Sequence, residues 1–561
     1  MGAGAREGAM GVVRRVGALL AAVVTMAILA AGCSQGAATE ATTGTVSRAN
    51  VGVVENDDKP KPGGQLVYGL LAETNGWNPA LNQWAPSGIQ VTHAFFDTLT
   101  AYDEQSQIKP FLAASMDHNA DYSEWTFTLR PGVKLHNGKP VTADVIVRNQ
   151  TFLMRSPVTG PAYKYALVES FTKKDDMTVA VHLQRGSAIW PVAMATQLGV
   201  VADPDWLESN DGLHPIGTGP FAFDAWQIDK QLTVKRNPDY WQVDKDGMRL
   251  PYLDSIEFRV ITDSESRGKS LQAKDIDVME TMSGQQVQSF QKADGFQVYS
   301  DSKGESREQF VMLNLTADPL NDLDVRRALA YATDKQTFTE ISSAGFDEVA
   351  NGPIAPSSPW FAATDYPQHD PAKAIELVQR AKARHGGSIR FTLRGVSNPD
   401  TQVATQTLQQ QWSAVGIDVD IDLQEQAKLI IGVVAGDYQA VMWSQFDAPN
   451  PYADGVWWDP RGAVPPPEFA LNFARNDDPE IGVALIAGGT NGDLREQRAQ
   501  FAIVQQRLAA DVPYVWLTHQ RMSVVASDRV VNLVRASLPD GSLGLDLHQG
   551  AHALAQIWLS G

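Results

Sequence analysis

Residues 125–145 read Trp125-Thr126-Phe127-Thr128-Leu129-Arg130-Pro131-Gly132-Val133-Lys134-Leu135-His136-Asn137-Gly138-Lys139-Pro140-Val141-Thr142-Ala143-Asp144-Val145, and the side-chain period changes twice along them. Trp125, Phe127 and Leu129 alternate with Thr126, Thr128 and Arg130, which is the period of a strand buried on one face. Pro131-Gly132 turns the chain, Val133 to Leu135 resume the alternation, and Asn137-Gly138 is the dipeptide that suits a type I′ hairpin turn. Thr142 stands where a helix N-cap belongs, with Asp144 in the first turn, where a negative charge meets the positive end of the helix dipole. A hairpin and then a helix are expected.

Further along, punctuation and periodicity alternate in the same way. Gln65 to Gly69 reads as a strand after Pro62-Gly63-Gly64, and Val91 to Leu99 has a helical period. In Ile216-Gly217-Thr218-Gly219-Pro220-Phe221 two glycines permit positive φ or close backbone approach and Pro220 fixes the exit; no third glycine or lysine follows at the spacing of a phosphate cradle. Phe310 to Leu315 reads as a strand with Asn314 inside it. Val325, Ala328, Leu329 and Ala332 share one helical face. A strand ends in Arg394, a glutamine-rich helix follows Asn398-Pro399, and Gly416 stops it before the strand Ile417 to Ile421.

The stretch from Leu129 to Val145 also resembles the signature of the extracellular solute-binding proteins that serve oligopeptide, dipeptide and nickel ABC importers, family 5. Pro110 to Ser115, Gly217 to Phe221, Asn237-Pro238-Asp239-Tyr240-Trp241, Pro251 to Phe258, Leu271 to Asp277, Asp324 to Lys335 and Gln505 to Val515 resemble further elements of that family, in its order. Lys274 stands where the family usually has glycine. The resemblance implies an α/β, two-lobed periplasmic-binding-protein fold with an enlarged first lobe. It would comprise 62–308 and 525–561, carry an inserted subdomain at about 96–207, and join a second lobe of 309–524 by crossings near Glu308 and Val524.

Composition restricts the function classes. A chain of 561 residues is too long for one core. A net charge of −19 without a basic cluster disfavours nucleic acid. Arg6, Arg14 and Arg15 precede an uncharged run from Val16 to Gly32 and then the only cysteine, Cys33, the layout of an export signal. Leu29-Ala30-Ala31-Gly32-Cys33 is similar to a bacterial lipobox, although Ala30 takes the usual leucine position. Residues 1–32 are thus expected to be a lipoprotein signal peptide, with Cys33 lipidated, and 33–61, poor in large apolar residues, a tether. Membrane retention of an uncleaved helix is the competing reading of the same run.

The resemblance implies capture of a small solute, most simply a peptide, and its delivery to a membrane permease and ATPase by a lipid-anchored, extracytoplasmic monomer with no cofactor or metal. Strand-exit loops line the cleft of such binders, which points to Glu73, Asn75 and Trp77. Trp443, Tyr452, Trp457 and Trp458 crowd a segment that also holds Asp447, Asp454 and Asp459, and rigid aromatic side chains suit a ligand wall. Peptide binders of this class place an aspartate soon after the corresponding strand for the ligand's ammonium, which singles out Asp447. Arg394 is the candidate for its carboxylate, and Asn314 and Trp443 complete the expected ligand-binding set. An exported serine enzyme is the alternative, because Ser170-x-x-Lys173 and Ser266-x-x-Lys269 spell its motif, but no K-T-G or S-D-N accompanies them. A sensor lipoprotein is another alternative. His548 and His552, four apart, lack a third metal ligand and read as surface histidines.

Overall fold

Leu66, Tyr68 and Leu70 enter one hydrophobic core while Val67 packs against another, so the strand Gln65–Leu70 is covered on both faces. The computed structural model describes residues 59–560 apart from 210, 301–306, 447, 469 and 548–549. The signal segment, Cys33 and all but the end of the tether therefore lie outside the described residues. Gln65–Leu70 pairs in parallel with Ser255–Val260 and Val278–Thr281 at the centre of a seven-stranded sheet. Gln231–Arg236 and Phe221–Gln227 extend it on one side, and Ser523–Ser527 and Phe296–Ser300 on the other.

A second, six-stranded sheet runs in the order Glu348–Val349, Tyr514–Gln520, Arg307–Leu313, Ala440–Phe446, Ile389–Val396, Ile417–Gln424. Its two faces read directly from the period of two. Val311, Leu313, Val515 and Leu517 enter one core with the helices Leu323–Ala332 and Pro399–Ala414. Phe310, Met312, Tyr514 and Trp516 enter the other with Leu494–Asp511. All four residues of the expected amphipathic face, Val325, Ala328, Leu329 and Ala332, are buried there, behind an Asp322 N-cap.

The chain passes from the first sheet to the second between Ser300 and Arg307 and returns between Gln520 and Ser523. Glu308 thus opens the second sheet, and Val524 already belongs to the first. A separate antiparallel sheet of four strands, Ala113–His118, Glu124–Leu129, Thr178–Leu183 and Val168–Asp175, is formed by chain lying between the Gln65–Leu70 and Phe221–Gln227 strands of the first sheet.

Several local expectations change. The strand Glu124–Leu129 pairs with Ala113–His118 and Thr178–Leu183, and the expected hairpin forms beyond it as a short one: Lys134 bridges Pro140 in antiparallel register, Leu135 N–H donates to Lys139 O and Val141 N–H to Val133 O. Only Gly138 has positive φ in that loop, so Asn137-Gly138 is not a type I′ turn; the Asn137 amide instead donates to Asp203. The helix Ala143–Arg155 forms with Thr142 at its N-cap position, but the threonine side chain makes no capping bond. The helix expected at Val91 to Leu99 is Pro86–Phe95, started by a proline in its first turn. Lys274 adopts φ 64, the left-handed turn usually given to glycine.

The two signature loops meet. Gly217 N–H donates to His136 Nδ1 at 3.3 Å and His136 Nε2 donates to Gly219 O at 3.0 Å. Close approach, rather than positive φ, explains both glycines: a β-carbon at Gly217 would overlap the Phe95 carbonyl, and one at Gly219 would stand 2.5 Å from the Ala94 carbonyl. Burial holds the His136 ring neutral, with its pKa pushed down to about 4. The unfolded chain, near 6.5, binds this proton first, so the stability His136 contributes is complete above pH 6.5 and is lost as pH falls towards 4. His136→Gln should cost about 1–3 kcal/mol at pH 7 and clearly less at pH 4.5 in chemical denaturation. An equal cost at both values would contradict this account of the loop.

Candidate functional site

A cavity of about 380 Å³ lies between the lobes, within the range of small-molecule sites. The first lobe supplies Thr92, His93 and Phe96 at the end of Pro86–Phe95, Tyr165, and much of the segment 185–198. The second supplies Gln445 from the strand Ala440–Phe446, Tyr452, Asp454, Trp457 and Arg461 from the loop after it, and the last turns of Pro479–Thr490. Most of this wall is apolar, so a few polar groups must orient a ligand.

A recess of about 20 Å³ adjoins the cavity and shares Gln445, Asp454 and Trp457 with it. The space suits one water-sized group. Aromatic side chains make most of its wall, Phe310, Trp443, Trp457, Trp458, Phe473, Tyr514 and Trp516, and two carboxylates, Glu308 and Asp454, interrupt them. Glu308 is 3% exposed and Asp454 7%. The backbone register carries this arrangement. A bulge between Gln309 and Phe310 sets Phe310 against Trp516 and Glu308 against His519. His519 Nδ1 lies 3.2 Å from Glu308 Oε1, and burial pushes its pKa down to about 4, so a neutral imidazole holds the carboxylate in place. Asp454 opens a short 3₁₀ turn, Asp454–Trp457, and its Oδ2 accepts Ala448 N–H at 2.7 Å. Carboxylates and aromatic faces together favour a cation.

The lobes touch beside the cavity, through residues of its wall. Ala188 N–H and Ser187 Oγ–H both donate to Gly489 O, at 3.0 and 3.3 Å. The Arg461 guanidinium stands 5.7 Å from the centre of the Tyr165 ring and is fixed by both oxygens of the buried Asp459. Two second-lobe glycines accept first-lobe tyrosines: a β-carbon at Gly455 would overlap the Tyr165 hydroxyl, and one at Gly492 the Tyr122 hydroxyl. These contacts describe closed lobes.

The expected site residues divide. Trp443 and Trp457 line the recess, and Trp457 also lines the cavity, each ring resting on Phe473. Trp458 and Tyr452 are buried in the second-lobe core, so that loop is less polar in its packing than in its composition. Trp77 is core, 1% exposed and edge-on to Phe95, while Asn75 is exposed. Glu73 accepts Trp226 Nε1–H and Asp229 N–H and ties its loop to a neighbouring hairpin. Asn314 is 2% exposed just past its strand, donating to Gly436 O and Tyr438 O. Arg394 pairs with Asp422 at 3.3 Å and Asp437 at 3.5 Å on its own lobe and lines neither space. Asp447 lies outside the described residues. Asp454, Glu308, Trp190 and Trp516 are among the wall residues that the expected ligand-binding set did not include.

The serine-enzyme motifs find no matching geometry. Ser170 and Lys173 lie on a strand, with Lys173 paired to Asp144 and Asp176, and Lys269 is an exposed partner of Glu265. His552 is not a surface histidine: it is buried and hydrogen-bonded to the Tyr68 hydroxyl at 3.1 Å, while His548 lies outside the described residues.

The glutathione-binding protein GsiB of Pectobacterium atrosepticum is 27% identical over 445 residues, which covers 77% of this chain and 84% of that one. The periplasmic binding protein AgaA of A. tumefaciens R10, solved with agropinic acid, superposes with a TM-score of 0.76 at 21% identity over 89% of this chain and 99% of that one. The periplasmic binding protein DppA of Helicobacter pylori, solved with the peptide STSA, gives the same TM-score at 22% identity and the same coverage. These structures share the two-lobed fold. The model of the bacterial extracellular solute-binding proteins, family 5, matches residues 107–462, which include Glu308, Asp454 and both sides of the cavity. With the cavity held between two lobes and the match running through both, this chain belongs to the extracellular solute-binding proteins of family 5.

Proposed function

We propose that this protein captures a peptide-like solute bearing a primary ammonium and delivers it to an ABC permease, without breaking a bond. The observation that carries the reading is the recess, where two buried carboxylates face a space of about 20 Å³ among aromatic rings. A primary ammonium is about the size of a water, and carboxylates beside aromatic faces favour a cation of that size. The glutathione and the peptide named for two of the similar proteins both carry a free amine. Lobes dividing at the two sheet crossings, with the four-stranded sheet as an inserted unit, belong to the same reading.

The test is a thermal titration of the protein with tri-alanine and N-acetyl-tri-alanine. Only the native cavity binds, so tri-alanine at about 100 times its Kd should add about 2.7 kcal/mol of stability and raise Tm, while the acetylated peptide at the same concentration should add much less. Equal shifts for both would remove the ammonium from the account. We also propose that Cys33 carries the lipid that holds the protein at the membrane. Cys33→Ser should then yield a released protein with unchanged peptide affinity, since one polar tether offers no anchor of its own. Continued membrane association after this substitution would favour an uncleaved helix.

A further inference from the structure

We infer that Gln445 is a specificity-determining residue whose side-chain amide donates a hydrogen bond to the carbonyl oxygen next to the solute's ammonium, which makes the solute an α-aminoacyl compound and not a simple amine. The inference rests on the reading above and extends it from the ammonium to the group beside it. The recess of about 20 Å³ takes the ammonium alone, so the adjoining carbonyl lies outside it, along the boundary with the cavity. Three residues line both spaces, Gln445, Asp454 and Trp457. Asp454 brings a charge and Trp457 an aromatic ring; Gln445 alone brings an amide.

The sheet register directs the Gln445 side chain to this boundary. In the antiparallel pairing of Arg307–Leu313 with Ala440–Phe446, Glu308 stands opposite Gln445 and Phe310 opposite Trp443. Residues directly opposite, and residues two apart on one strand, project from the same face of a sheet. All four line the recess, so Gln445 points the same way as Glu308. Their β-carbons stand about 5 Å apart across the strands, and the two side chains have the same length. An amide beside a carboxylate matches a carbonyl beside an ammonium. The amide is also uncommitted. Gln439 accepts Thr392 N–H and donates to Asp318 O, and Gln505 accepts Ala362 N–H and donates to Trp360 O. The Gln445 side chain is half-buried and makes no hydrogen bond among the described residues. A solute filling the cavity displaces water from this amide, and a bond not replaced there costs affinity. An α-aminoacyl carbonyl replaces it, whereas an alkylamine of equal charge offers no acceptor, because an ammonium has no lone pair.

The test replaces Gln445 with methionine, which keeps the unbranched length and removes the amide. Gln445→Met should weaken tri-alanine, measured by calorimetry, by roughly 5- to 100-fold, while butylamine, with an ammonium and no carbonyl, should bind weakly and equally to both proteins. An unchanged melting temperature without ligand shows that the variant folds. With tri-alanine labelled with ¹³C at its first carbonyl, the bound resonance should lie downfield in the unsubstituted protein and return towards its free position in the variant. Tri-alanine affinity within about twofold of the unsubstituted protein, or a bound resonance the same in both, would overturn the inference and leave the amide to solvent. Equal weakening of butylamine would also overturn it, since Gln445 would then only shape the recess. If N-acetyl-tri-alanine binds the unsubstituted protein as well as tri-alanine does, the amine reading itself fails, and this inference with it.

Discussion

Asp454→Asn is expected to weaken the binding of tri-alanine by roughly 30- to 5000-fold, the consequence of leaving a desolvated ammonium without one of its carboxylates. The substitution is a controlled one. Asparagine keeps an oxygen that can accept Ala448 N–H, so the turn Asp454–Trp457 retains that bond while the charge is removed. Stability should move little, and the weak binding of N-acetyl-tri-alanine should hardly change, since that ligand has no ammonium to leave unpaired. A loss of less than about threefold for the free peptide would mean that Asp454 is not the ammonium partner.

Gly455→Ala, one residue along, should act on closure rather than on the ligand. Its methyl group would occupy the place of the Tyr165 hydroxyl, which reaches Gly455 from the opposite lobe and cannot retreat freely beneath Arg461. Overpacking of this kind costs about 1–3 kcal/mol, and paid only in the closed state it becomes a loss of roughly 5- to 150-fold in affinity. Small-angle scattering at saturation should show a larger radius of gyration than the unsubstituted protein with the same ligand. Adding Tyr165→Phe removes the opposing oxygen, so the double variant should recover much of both effects, the signature of a direct contact. If Gly455→Ala closes and binds normally, the lobes do not meet through this pair.

Much of the fold was legible because its signals are local. The alternation in Gln65–Leu70 and Phe310–Leu313 gives strands covered on both faces, and the face of Val325, Ala328, Leu329 and Ala332 gives the helix that covers one of them. The family motifs supplied the two-lobed fold that no single stretch contains. The hairpin at Asn137-Gly138 was read correctly but its turn type was not, because turn propensity knows nothing of Asp203, which takes the asparagine side chain from 66 residues away. The site was legible only in part. Trp443 and Trp457 were found through aromatic crowding, but the same segment holds Asp447, Asp454 and Asp459. Composition cannot tell that Asp454 reaches the cavity wall while Asp459 is spent on Arg461. Arg394 carried the right charge at a plausible strand end, yet Asp422 lies directly across the sheet to neutralise it. Glu308 and Trp516 come together across a bulge joining strands some two hundred residues apart, a relation that depends on tertiary register.

Mass spectrometry of the solute released by denaturing protein purified from its own cells tests the central claim most directly. The account predicts a peptide-like compound with a free primary ammonium, small enough for a cavity of about 380 Å³. A neutral sugar or a metal chelate without a free amine, bound in stoichiometric amount, would contradict it.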